Sequence, residues 1–246
     1  MSGETTTLAG QKVVVFGGGS GVGLAAARLA ASKGASVVIA GRDDQGSLAS
    51  VAKEFGAESA VVDGKNVADV NAFFDGLGAF DHLVLTAGAT NRGGSFLDDI
   101  TDEKFRATFD GKFWVQVTAA HAGARHVRKG GSVTFFSGGA SRKAMPGMTN
   151  IAAVNGALDA IVPTLAVELA PTRVNSISPG TLRTTYWAGT PEAQLEQVFG
   201  RMAKALPAGR VGTADDIARA VLFLVESPFV TGTTLAIDGG LPHASL

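Results

Sequence analysis

"VVVFGGGSGVGLAAARLA", residues 13–30, decides the fold. Val13 to Phe16 form a short unbroken apolar run, which reads as a strand buried on both faces, because a half-exposed strand alternates. A helical pattern rich in alanine follows. Between them Gly17, Gly21 and Gly23 stand in G-x-x-x-G-x-G spacing, with Gly19, Ser20 and Val22 among them. Such a turn must be tight, and its backbone must come close to what it holds. Free N–H groups at the helix start, at the positive end of the macrodipole, favour a pyrophosphate. A purely structural turn is the alternative, but the position at the first strand–helix junction favours nucleotide binding.

Outward from this unit the pattern repeats. Strands are expected at 12–16, 36–41, 59–63, 81–88, 131–139, 173–180 and in the closing "TTLAIDGG". Helices are expected after residue 21, around 46–55, 67–76, 102–128, 150–169, 191–205 and 214–226, with Pro163 as a kink in the fifth. Strand–helix–strand repetition with right-handed crossovers gives a Rossmann-like, doubly wound parallel sheet of about seven strands with helices on both faces. No linker or charge block divides the chain, so one domain over 1–246 is expected.

Composition narrows the function. The chain has 246 residues, 46% hydrophobic and 17% charged, with a formal net charge of −1. That balance gives no reason to expect nucleic acid or an anionic membrane as partner. Cys 0 excludes disulfides and thiolate chemistry. "MSGETTTLAG" does not read as a secretory signal, and no apolar run reads as long enough to span a bilayer. A cytoplasmic protein acting on a small molecule is the expectation. His121 and His126 are not on one helix face, His82 and His243 are isolated, and no metal site is expected.

About twenty residues past the glycine turn, an acid at the end of strand two would hold a ribose 2′-hydroxyl. Gly41 stands there instead, followed by Arg42. Losing the carboxylate removes repulsion with a 2′-phosphate, and an arginine can clamp that phosphate, so NADP(H) is favoured over NAD(H). Asp43 and Asp44 come directly after and offer Arg42 a competing partner.

With these pieces in register the chain resembles the short-chain dehydrogenase/reductase family over essentially its full length. The resemblance is carried by the turn at 17–23, Asp63, "TAG" at 86–88, "RVNSISPG" at 173–180 and the closing "RVGTADDIARAVLFLVES…VTGTTLAIDGG". It implies that Asp63 meets the adenine, and Ala87 and Gly88 the adenosine ribose. It also implies that Pro179, Gly180, Leu182 and Thr184 surround the nicotinamide carboxamide, and that the chain forms a homotetramer or homodimer through its long helices. Phe16, Leu85 and Thr86 depart from the family pattern, at positions that support the turn and strand more than the phosphates.

The departures at the catalytic positions are larger. The family's chemistry uses a tyrosine acid/base, a lysine, a serine and an asparagine. On this sequence the four places fall at Ile151, Asn155, Gly138 and Lys112. Lysine and asparagine have exchanged places, which would keep one ammonium in the site, with Lys112 and Asn155 as candidate catalytic residues. Ser137 is a weaker candidate that turns inward or caps a turn. Tyr186 lies in the loop expected over substrate, and Arg142, Lys143 and Arg183 are candidate contacts for an acidic substrate. The expected function is an NADP(H)-dependent oxidoreductase with a rewired site, acting on a carbonyl, alcohol or activated double bond. The alternatives are an NADPH-holding pseudoenzyme, as sensor or subunit, and a non-redox isomerase or cyclase.

Overall fold

The computed structural model describes residues 7–43, 46–88 and 93–245. Its strands are β1 (Lys12–Phe16), β2 (Ser36–Gly41), β3 (Glu58–Val61), β4 (Phe80–Leu85), β5 (Val127–Phe136), β6 (Arg173–Pro179), the short β7 (Leu182–Arg183) and β8 (Gly212–Thr213), and β9 (Thr234–Ile237). The helices are α1 (Gly21–Ser32), α2 (Leu48–Lys53), α3 (Val67–Leu77), α4 (Asp102–Phe109), α5 (Val115–Gly123), α6 (Thr149–Glu168), α7 (Glu192–Ala205) and α8 (Ala214–Glu226). A seven-stranded sheet runs β3-β2-β1-β4-β5-β6-β9, and every pairing in it is parallel.

Side-chain alternation sorts the apolar residues onto two faces. Val13, Val15, Val37 and Ile39 face α1 and α8, while Val14, Phe16, Leu83 and Phe135 face α3, α5 and α6. Burial on both sides holds for the inner strands β1, β4 and β6. The edge strand β3 departs from it, with Val61 70% exposed.

Two expectations need correction. The helix expected over 102–128 is three pieces: α4, a π-helical turn at Asp110–Trp114, and α5, which ends at Gly123. The chain is already β5 from Val127, because the polar run before Ser132 pairs at Phe80↔Val127 and then shifts register to His82↔Ser132. Gly131 permits that shift, since a Cβ there would lie 2.0 Å from the Asp81 carbonyl oxygen. The second correction is to the bilayer reading. By length and hydropathy α6 is long and apolar enough to cross a membrane. Here it packs on β6 and β5 and buries Asn150, Val154, Asn155, Leu158 and Val162. It also passes through Pro163 without ending.

Toward the amino ends of the strands, away from the glycine turn, His82 of the central strand β4 is buried. Its Nε2 lies 2.7 Å from Gln11 Oε1 and its Nδ1 2.8 Å from Ser132 Oγ. A neutral ring satisfies both, donating from Nε2 and accepting the serine hydroxyl at Nδ1. Burial, and then the Arg173 guanidinium, push its pKa down from 6.5 to about 4, with Asp81 pulling weakly the other way. Between those values the unfolded chain binds the proton and the folded one does not, so stability is full above 6.5 and falls as pH drops toward 4. From about pH 7 to about pH 5 the loss expected from this group is ~2 kcal/mol. Urea unfolding at the two pH values measures it, and His82→Leu should remove that part of the slope. An unchanged slope in the variant would assign it elsewhere.

Candidate functional site

The sheet order reverses between β1 and β4, and the crevice beyond their carboxyl ends is where such folds place ligands. The glycine turn forms one wall, and each spaced glycine has its own reason. Gly17 and Gly21 have φ of +97° and +52°. A Cβ on Gly23 would lie 2.3 Å from the Gly17 carbonyl oxygen and 2.4 Å from Thr86 Oγ1. Gly19 approaches the Leu48 side chain, and Val22, in the first turn of α1, packs against the core. Ser20 is the N-cap of α1, yet among the described residues no side-chain hydrogen bond caps that helix start. The first-turn N–H groups are therefore offered to the crevice, and this donor set fits a pyrophosphate.

The departures around the turn have structural reasons. The Phe16 ring points away from the cradle, 6.5 Å from Phe73 and 6.4 Å from Phe74 between centroids. Thr86 pins β4 to the turn: its hydroxyl lies 3.2 Å and 3.0 Å from the carbonyl oxygens of Phe16 and Gly17. Gly41 sits against Gly17, with exposed Arg42 next along the chain. Asp43 is used elsewhere, its Oδ1 accepting the N–H groups of Ser47 and Leu48 at 2.7 and 3.1 Å. Asp44 lies outside the described residues.

The other expected cofactor positions line the same edge of the sheet or close turns near it. Asp63 is exposed and accepts the Lys65 N–H at 3.0 Å. Ala87 and Gly88 follow Thr86 just past the end of β4, and Pro179 ends β6. Gly180 is required by its neighbour, because a Cβ would lie 2.7 Å from Asp238 Cα. Past it, the Leu182 carbonyl accepts the Trp187 indole N–H at 2.9 Å, and Thr184 Oγ1 accepts the Tyr186 N–H at 3.3 Å.

The structure brings Lys112, Asn155 and Ser137 together. Lys112 stands in the middle of the π turn, and its Nζ donates to Asn155 Oδ1 at 2.7 Å and to the Ser137 carbonyl at 2.6 Å. The two side chains that stand exchanged in the sequence are in direct contact. Burial pushes the Lys112 pKa down to about 8, while the charge of Asp159 works against the shift. Ser137 contributes its main chain to this cluster. Its hydroxyl turns toward the Ile177 carbonyl at a long 3.4 Å. Gly138 is explained by Asn155: a Cβ on Gly138 would lie 2.8 Å from Asn155 Nδ2. The serine that the family pattern expects at 138 and an asparagine at 155 therefore compete for one space.

The residue that sequence reasoning missed is Gln116, fully buried one helical turn after Lys112. Its Nε2 donates to the carbonyls of Ala87 and Phe136, both at 3.0 Å, and its Oε1 accepts the Phe136 N–H at 2.9 Å. The available signal was a lone amide in the apolar run "FWVQVTAA".

Two cations expected to meet an acidic substrate are committed within the chain. Arg183 pairs with Glu196 at 2.8 Å and Glu192 at 3.5 Å and lies over the Phe199 ring. Lys143 donates to the carbonyls of Pro242 and Ala244 at 3.3 and 3.0 Å, tying the chain's last turn to the loop after β5. Arg142 is exposed. Tyr186 is 46% exposed and packs edge-on against Trp187. His121 contacts Arg125, and His126 pairs with Asp75.

An all-parallel doubly wound sheet, a glycine wall at its switch point and an uncapped helix start define the dinucleotide-binding class of α/β proteins. The family model described as Enoyl-(Acyl carrier protein) reductase matches residues 17–242. The short-chain dehydrogenase/reductase ATR9 of Stachybotrys chlorohalonatus is 30% identical over 95% of this chain and 98% of its own. A small-chain dehydrogenase solved in complex with NADPH superposes with a TM-score of 0.82 at 36% identity, covering 94% of this chain and 98% of its own. A short chain dehydrogenase from Burkholderia cenocepacia J2315, solved with NADP, gives 0.82 at 30% identity, covering 96% and 99%. The chain belongs to the short-chain dehydrogenase/reductase family of oxidoreductases.

Proposed function

We propose that the protein is an NADP(H)-dependent oxidoreductase whose reaction centre is built on Lys112 instead of a tyrosine–lysine pair. The observation that carries this reading is the Lys112–Asn155–Ser137 contact at the sheet edge that holds the glycine wall. Gly17–Gly23 and the start of α1 would hold the pyrophosphate, and Arg42 the 2′-phosphate. Pro179, Gly180, Leu182 and Thr184 would flank the nicotinamide. The bound cofactor supplies a hydride to a carbonyl or activated double bond, or takes one from an alcohol. Of the three N–H donors of Lys112, two are used by Ser137 and Asn155, and the third is left for a substrate oxygen or a ribose hydroxyl. With its pKa near 8, the ammonium remains charged at neutral pH and is still acidic enough to give up a proton as negative charge develops.

Ile151 and Gly138, at the places where the resemblance expects tyrosine and serine, offer no hydroxyl. They favour the second reading, an NADPH-binding module without turnover. Calorimetric titration with NADPH and NADH tests the shared part of both. NADPH is expected to bind at micromolar levels and more tightly than NADH. Arg42→Ala should weaken NADPH by about tenfold or more and leave NADH nearly unchanged, as loss of a charge-assisted phosphate contact implies. Binding of neither nucleotide would remove both readings and leave the non-redox one.

A further inference from the structure

The β4–β5 ladder stops at Val84↔Thr134, although both strands continue to the crevice. Beyond that pair the strand ends are joined through the side chain of Gln116. It takes the Ala87 carbonyl from one strand and both the N–H and the carbonyl of Phe136 from the other. A primary amide has the donors and acceptor of a peptide group, so it closes these backbone valences where the strands part. The peptide linking Phe136 to Ser137 is thereby held on both sides, its carbonyl by Gln116 and its N–H by the Ile177 carbonyl at 2.9 Å. The next carbonyl along, that of Ser137, is the one that Lys112 Nζ meets. The end of β4 is fixed likewise, by Thr86 on the β1 side and Gln116 on the β5 side.

We propose that Gln116 is a positioning residue of the Lys112 centre: its buried amide replaces strand pairing at the mouth of β4 and β5 and so sets where the Ser137 carbonyl meets the ammonium. The assignment rests on the proposed function only for the meaning of that centre, since the contacts themselves need no cofactor. Lys112 in the π turn and Gln116 in the first turn of α5 both reach the end of β5, so the same strand end is held from two adjoining helical turns. Gln116 itself touches no reacting atom.

The test uses the full chain without added nucleotide, labelled with ¹³C at lysine Cε. The Lys112 resonance is identified by its loss in Lys112→Arg, and its titration is followed in wild type and Gln116→Met, which keeps the volume and removes the amide. If Gln116 aims the Ser137 carbonyl, the variant loses an acceptor for the ammonium while burial persists. The Lys112 midpoint should then fall by about half a unit or more. A purely structural role lowers the melting temperature and leaves the midpoint unmoved; an unmoved or raised midpoint in the folded variant overturns the proposal. If Gln116→Met does not fold, Gln116→Asn, one methylene short of spanning both strands, carries the same test. Wild-type NADPH titration reports separately on the proposed function, so either statement can fail without the other.

Discussion

Lys112→Met is expected to reduce NADPH-dependent turnover by ~10²-fold or more, the scale of a lost general acid or charged stabiliser in the transition state. Methionine nearly keeps the packing of the lysine stem and removes only the charge and the donors. The loss should fall mainly on kcat, because an interaction that strengthens as charge develops contributes little to ground-state binding. The Ser137 carbonyl and Asn155 Oδ1 would lose their shared donor, so a stability cost of about 1–3 kcal/mol accompanies the change and must be measured beside the kinetics. The pH profile separates the two effects. Wild-type reduction should decline above pH 8 or so as the ammonium loses its proton, whereas residual activity of the variant should lack that limb. Turnover within a factor of two of wild type would sink the assignment of Lys112.

Much of the fold was legible because burial writes itself into local pattern. Val13–Phe16 and Val37–Ala40 lie in inner strands covered on both faces, and the capping box at Thr213 and Asp216 marks the start of α8 at the expected residue. What escaped was decided by distant contacts. Nothing local in "FDGKFW" announces the π turn that joins α4 to α5. Val127 and Arg128 read as the end of a helix, yet Val127 pairs with Phe80 and Gly131 slips past the Asp81 carbonyl. The site divides in the same way. Glycine spacing could be read because steric demand is residue-specific, and the exchange of Lys112 with Asn155 could be read from the register. Whether two groups at opposite ends of that exchange touch depends on three dimensions, and so does the reason for Gly138. Arg183 and Lys143 show the converse error. A cation in a loop invites a ligand in sequence, but Glu196 and the Pro242 and Ala244 carbonyls had already claimed these two.

Gly23→Ala is expected to lower NADPH affinity by ~10²-fold or more while leaving the Lys112 cluster in place. The added methyl group would lie 2.3 Å from the Gly17 carbonyl oxygen and 2.4 Å from Thr86 Oγ1. Rotation of Thr86 relieves only the second clash. The first is with backbone, so the turn itself must move, and it is the turn that aims the donors at the pyrophosphate. Overpacking of this kind costs about 1–3 kcal/mol in stability, and urea unfolding should register it. Gly76→Ala is the matched control: its Cβ would meet nothing within 4 Å inside α3, so it should be neutral or slightly stabilising. Wild-type affinity in Gly23→Ala would mean that the glycine wall is only a structural turn. Together with Lys112→Met the variant separates the two functional readings. An oxidoreductase loses turnover in both variants and cofactor mainly in the first. A nucleotide-binding module loses cofactor in Gly23→Ala, and Lys112→Met then has no turnover to remove.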